Sequence, residues 1–368
     1  MEDLSVRTIV ATLGFLVGII FGATVQRTNF CTMGGVSDMI LMGDTRRIRA
    51  WFLAIAVAII GTQAMHVMGL IDINESIYLT TNFGWAGAII GGLMFGFGMT
   101  FAGGCANKNL VRLGGGNMKS LVVVLVMGIF AYMTLRGLVG LARVQMESVT
   151  NVELADTLGV SSQGIIDLLA VMIGSEVESL RVAVTAVIAG LILFWCFKSA
   201  DFRGSRTDIA AGLIIGALIP AGWYITGVVG YDDFEPTQLF SFTFVSPAGE
   251  SLQYLMTFTG ASINFGIATV GGVIVGSFLM AVATKSFHIE AFSGADDMKK
   301  QMGGASLMGI GGILALGCTV GQGITGMSSL AVGSVLALSS IILGAVIGLK
   351  YMEEGTLGGA IKAAFVRG

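Results

Sequence analysis

The sequence predicts an all-α polytopic membrane protein of about nine transmembrane helices, an inverted repeat with short broken, re-entrant segments that carry cysteines. Three observations predict it. Hydrophobic residues make up 54% of the chain and charged residues only 12%, whereas a soluble domain carries about 25% charged residues. Apolar runs of about 20 residues, the length that crosses a bilayer core as helix, recur along the chain. Basic residues collect in alternate linkers between those runs. A membrane β-barrel would instead alternate apolar and polar residues in ten-residue segments, and that pattern is absent. The whole chain, 1–368, reads as one integral membrane domain.

Nine runs start near Thr8, Ala50, Phe83, Ser120, Leu180, Ile209, Ser262, Gly303 and Ser328. Acidic Glu2 and Asp3 precede the first run and no clear cleavage site follows it, so it reads as a retained span rather than a secretory leader. Linkers 27–49, 104–119, 198–207 and 284–302, with the C-terminal tail, hold 16 basic residues; the alternate segments hold four, Arg7, Arg136, Arg143 and Arg181. Cytoplasmic loops carry the lysine and arginine excess. The N-terminus is therefore expected outside and the C-terminus in the cytoplasm.

An internal repeat crosses this topology. Gly91, Gly98 and Gly104 stand 14, 7 and 1 residues before Cys105, and Gly304, Gly311 and Gly317 stand at the same offsets before Cys318. The two segments run in opposite directions through the predicted membrane. Repeat halves of about 8–142 and 209–350 follow, joined by an odd helix near 180–198. Gly14, Gly18 and Gly22 before Cys31 match Gly212 and Gly216 more weakly, with Ile225 in the cysteine's place. Inverted repeats place a substrate site near the bilayer midplane, where broken helices face one another.

The stretch LALGCTVGQGITG, 314–326, lies within 49 residues that carry no charge, Gln301 to Leu349. Cys318 follows Lys300 by 18 residues, about 27 Å of helix, so this glycine-rich turn falls inside the bilayer. Unpaired backbone cannot face lipid. The turn must be buried in protein or line a polar path. Gly317, Gly321 and Gly323 would permit close packing, while Thr319 and Gln322 supply polar contacts. The same reasoning applies to GGCANKN, 103–109, with Gly104 and Asn107, and to QRTNFCTMGG, 26–35, with Gln26 and Asn29. Taken singly, each cysteine could be buried filler; matched positions at helix breaks argue for a site.

Other motifs carry no chemistry. Gly321, Gly323 and Gly326 fit a dinucleotide fingerprint, but no strand precedes them. Residues 114–120 resemble a phosphate loop, with Met118 where glycine is required. No zinc spacing exists, and no cofactor or metal is expected. His66 and the mid-helix Cys196 read as packed residues.

The segments FGATVQRTNFCTMGG (21–35), FGFGMTFAGGCANKN (95–109) and LMGIGGILALGCTVGQGITGMSSLA (307–331) resemble the YeeE/YedE family of sulfur-compound transporters, over essentially the whole chain. The resemblance implies thiosulfate uptake through an hourglass-shaped protein of a bacterial cytoplasmic membrane, with Cys31, Cys105 and Cys318 contacting the ion. It also implies a small cytoplasmic sulfur-carrier protein as partner. Some family members are linked to selenium instead, so a selenium compound or another sulfur species is an alternative. Neutral thiols are weak donors and polarizable neighbours, suited to brief contact with a sulfur-bearing anion. Lys108, Arg112 and Arg27 could draw the ion inward. Importing a dianion against 100 mV costs about 4.6 kcal/mol, twice about 2.3 per charge. No nucleotide site or obvious intramembrane carboxylate relay offsets this, so a passive or weakly coupled path is expected. Two rivals are a membrane sulfurtransferase forming cysteine persulfides, for which only Cys105 near Lys108 qualifies, and a general small-solute channel.

Overall fold

The computed structural model describes residues 5–232 and 237–365. Glu2 and Asp3, which underlie the expectation of a retained N-terminal span, lie outside them. Helix dominates the described residues, as a chain in hydrocarbon must satisfy its backbone internally.

Ser5 caps α1 (Val6–Thr28) by accepting from the Thr8 amide, and Asn29 ends it in the left-handed conformation, φ 55°. Three residues later α2 (Thr32–Ser37) begins and widens into a π-helical turn over Asp38–Met42. Then comes α3 (Arg46–Val67). Strand β1 (Asn82–Phe83) pairs antiparallel with β2 (Val152–Glu153). Between them lie α4 (Trp85–Phe101), α5 (Ala106–Gly114), α6 (Met118–Arg136) and α7 (Leu138–Thr150). Short helices α8 (Leu154–Leu158) and α9 (Ile165–Ile173) lead into α10 (Val177–Lys198), α11 (Ala200–Gly204) and α12 (Arg206–Tyr224). A π turn at Ile225–Val229 follows, then α13 (Val245–Met256), α14 (Phe265–Ala283) and α15 (Ala295–Leu314). A second glycine-rich π turn, Gly321–Gly326, precedes α16 (Val332–Glu354) and α17 (Leu357–Phe365).

Among the described residues, eight helical segments are long and apolar enough to cross a membrane. They account for the runs expected near Thr8, Ala50, Phe83, Ser120, Leu180, Ile209, Ser262 and Ser328. The run from Gly303 is the second half of α15. That helix is not among the eight, because Asp296, Asp297, Lys299 and Lys300 occupy its start and it ends at Leu314.

The long helices pack in reciprocal pairs: α1 on α14 and α12 on α3, α4 on α16 and α15 on α6, with α4 against α15. Glycines let the last pair touch backbone to backbone. A Cβ on Gly91 or Gly311 would fall 2.5–2.6 Å from the other's carbonyl oxygen, and one on Gly98 or Gly304 would lie 2.6 Å from its partner's. Since 91 meets 311 and 98 meets 304, α4 and α15 cross antiparallel. Phe21, Phe242 and Phe244 fill the adjacent core, with ring centroids 5.1 and 5.4 Å from Phe21. Val182, Val187, Leu191 and Phe194 of α10 are exposed. Such a face suits hydrocarbon and would be a liability in water.

Candidate functional site

Both α4 and α15 stop in the same way. After Ala102 the chain turns through Gly103 (φ 73°) and Gly104 (φ 152°), and the Gly104 amide donates to the Met99 carbonyl at 3.0 Å. After Ala315 it turns through Leu316 (φ 56°) and Gly317 (φ 157°), and the Gly317 amide donates to Gly312 at 2.7 Å. Each is a Schellman closure, which satisfies an orphan helix-end carbonyl. Leu316 holds a left-handed angle that costs a non-glycine residue about 1–2 kcal/mol. Cys105 and Cys318 are the residues that emerge from the two turns. Cys31 emerges from the α1 break two residues beyond left-handed Asn29.

These breaks bring two thiols together. Cys31 Sγ lies 3.6 Å from Cys105 Sγ, and the Cys105 thiol donates to Asn107 Oδ1 at 2.6 Å. All three cysteines are free and buried. The Gly321 amide donates to Cys318 Sγ at 3.4 Å, and the amides of Val320 and Phe244 and the Thr243 hydroxyl also border that sulfur. Thr319 borders Cys105. The hydroxyls of Thr243 and Thr319 are buried without a hydrogen-bond partner, although such groups are normally paired. Phe244 precedes α13 as Cys31 precedes α2, and it offers Cys318 a backbone amide where Cys31 offers Cys105 a second thiol.

A cavity of about 390 Å³ opens on the Cys31–Cys105 side, lined by Gln26, Asn29, Lys108, Arg112, Lys119 and Glu290 among others. The Lys108 ammonium donates to Asn29 Oδ1 at 2.9 Å, and Arg47 donates to the Asn29 carbonyl at 2.7 Å and to Asp38 at 2.8 Å. Asn109 donates to the Gly104 carbonyl at 2.9 Å and accepts from Ser120 at 3.1 Å, bracing the turn. A cavity of about 20 Å³ lies on the Cys318 side, lined by Tyr78, Gln163, Leu316, Gln322 and Ser334 among others, none of them acidic or basic. The large cavity reaches Ala102, just past the end of α4, and the small one meets the first turn of α4 at Ala88. The two cavities therefore sit toward opposite ends of α4, with the cysteines between them.

The residues singled out from sequence divide in three. Gln26 and Asn29 line the large cavity. Asn107, Thr319 and Gln322 border the thiols or the small cavity, but Gln322 is already engaged: it donates to the Ala315 carbonyl and accepts from Ser334, both at 2.6 Å. The glycines serve shape. Gly104 and Gly317 make the turns, a Cβ on Gly321 would lie 2.4 Å from Thr243 Oγ1, and one on Gly323 would lie 2.6 Å from the Trp51 ring. Cys196 sits apart from the cluster, its thiol donating to the Arg49 carbonyl at 3.3 Å. Sequence reasoning missed Tyr78, Gln163, Thr243 and Phe244, which stand outside the cysteine motifs and carry no local signal.

A family model described as sulphur transport matches residues 27–347. The thiosulfate transporter TsuA of Escherichia coli (strain K12) is 27% identical over 328 residues, covering 84% of this chain and 86% of that protein. The thiosulfate transporter TsuA of Spirochaeta thermophila is 26% identical over 337 residues, covering 90% and 96%. The probable transporter YedE of Escherichia coli (strain K12) is 35% identical over 102 residues, covering 27% and 23%.

Proposed function

The chain belongs to the sulphur transport family, and on that premise we propose that it carries thiosulfate into the cell along the line Cys318, Thr319, Cys105, Cys31. The observation that carries this reading is the juxtaposition at the protein's centre: three buried thiols and two unpartnered hydroxyls between two cavities. The thiols offer weak donors and soft sulfur, and the amides around Cys318 offer partial positive charge without a fixed cation to trap the ion. Gln26, Asn29 and Lys108 would receive it in the wide cavity, with Arg112 beyond.

We read the path as one domain of two inverted halves. Support comes from the reciprocal helix pairs and from the matched Schellman turns at Cys105 and Cys318. In this reading α15 and the turn after it complete a ninth crossing. The N-terminus is outside a bacterial cytoplasmic membrane, and the wide basic cavity faces the cytoplasm, where a sulfur-carrier protein would take up the cargo. The named relatives are transporters, and we read this chain as a carrier rather than a sulfurtransferase. Lys108, the one base near Cys105 in sequence, is turned onto Asn29 rather than onto the thiol.

Uptake of labelled thiosulfate into proteoliposomes, with sulfate and selenite as competitors, tests the proposal. Wild-type vesicles should accumulate label, and the Cys105→Ala variant should fall to the protein-free background. Accumulation that selenite suppresses better than unlabelled thiosulfate would favour a selenium compound. Absence of uptake by well-folded wild-type protein would end the reading.

A further inference from the structure

The small cavity offers no charge to an anion, yet it lies on the side from which, in the transport reading, the ion would enter. Its volume of about 20 Å³ is about one water's worth of space. An ion passing such a constriction exchanges its hydration shell for donors supplied by the wall. Which donors are free decides what can pass.

Gln322 is not free, since its amide is held by Ala315 and Ser334. Two other polar side chains line the cavity, Tyr78 and Gln163, only 3% and 4% exposed. Among the described residues, neither the Tyr78 phenol nor the Gln163 side-chain amide makes a hydrogen bond. Both are nonetheless fixed in place. The Tyr78 ring meets Trp223 edge-on, 6.3 Å between centroids at 86°, and Trp223 Nε1 donates to Ser328 Oγ at 3.2 Å. The Gln163 carbonyl accepts from the Val332 amide at 3.0 Å, and the Ile165 amide donates to Leu330 at 2.9 Å. Both residues are thus stitched to the chain that follows the Cys318 turn. Tyr78 is also within electrostatic reach of Cys318.

We propose that this mouth is an uncharged binding subsite for the oxygen end of the substrate anion, with the Tyr78 phenol as its specificity-determining donor and Gln163 as a second. It rests on the transport reading. A phenol hydroxyl is a strong donor suited to a hard oxygen, whereas the Cys318 thiol beyond it is a weak donor with a soft sulfur. The pair therefore matches a tetrahedral anion that carries both kinds of atom. Neutral donors also let the ion leave, since no buried charge holds it.

Tyr78→Phe removes the hydroxyl and keeps the ring on Trp223. In proteoliposomes the half-saturating thiosulfate concentration should rise about 10- to 100-fold, the loss expected for one hydrogen bond to a charged partner, with maximal rate within about twofold. Equilibrium binding of thiosulfate to the purified protein should weaken by the same factor. Gln163→Leu should act in the same direction, and Tyr132→Phe, remote from this mouth, should change neither measurement. Unchanged half-saturation and binding in folded Tyr78→Phe overturns the subsite. Wild-type protein that binds thiosulfate through Tyr78 but moves none would overturn the transport reading and leave the subsite standing. Wild-type protein that neither binds nor transports removes both.

Discussion

Cys318 and Cys196 are both buried thiols, and their surroundings separate them. Cys318 faces backbone amides and an unpartnered hydroxyl, whereas Cys196 merely caps an Arg49 carbonyl. Replacing Cys31, Cys105 or Cys318 by Ala should cut thiosulfate uptake at least tenfold at near-normal expression, and Cys196→Ala should leave it within twofold. An essential Cys196 beside a dispensable Cys318 would mean the path runs elsewhere. Gly321→Val tests the same point through shape. Its Cβ would press on Thr243 Oγ1, a strain of about 1–3 kcal/mol. Folded, membrane-inserted Gly321→Val should transport nothing, and normal uptake would make this turn ordinary packing. Cys105 and Cys318 were legible because their motifs repeat, and Cys31 because an apolar run breaks there into a polar, glycine-containing turn. Tyr78 and Thr243 were not, because they reach the site from connecting segments that have no period and no partner in sequence.

At the scale of helices, the crossing of α4 on α15 gives a paired test. Gly98→Val would drive a branched side chain into the Gly304 carbonyl, which is backbone and cannot swing aside. Its thermal midpoint in detergent should drop well below that of the wild type. Gly303, one residue from Gly304, has nothing within 4 Å of an added Cβ. Gly303→Ala should hold or raise the midpoint, since alanine gains about 0.5–1 kcal/mol over glycine inside a helix. Equal losses in both variants would refute the crossing. The glycine offsets marked these two helices in the sequence as a matched pair, but not that they touch. What they did not give was the start of α15, because hydropathy begins only where its charged first turns end, at about Gly303. The α2 and α13 arms were equally hidden, being too short to register as apolar runs.

For the whole molecule, the 16-to-4 division of basic residues makes orientation testable. Single cysteines at Asn74 and Asp232, in a cysteine-depleted background, should react with an impermeant maleimide in sealed cells, and those at Arg47 and Lys300 only after lysis. Labelling of position 300 from outside would reverse the topology.

The glycine contacts between α4 and α15 bear on how such a molecule can work at all. Two rods keyed together at two points about 10 Å apart, seven residues of helix, can neither slide nor roll without parting their backbones. The centre is then an axle with no bearing, and a see-saw swing of α4 against α15 would have to break those backbone contacts. We therefore expect flux to be governed by small side-chain excursions at the two mouths. Its rate should therefore change little as lipid chain length is varied, which vesicles of graded thickness can measure.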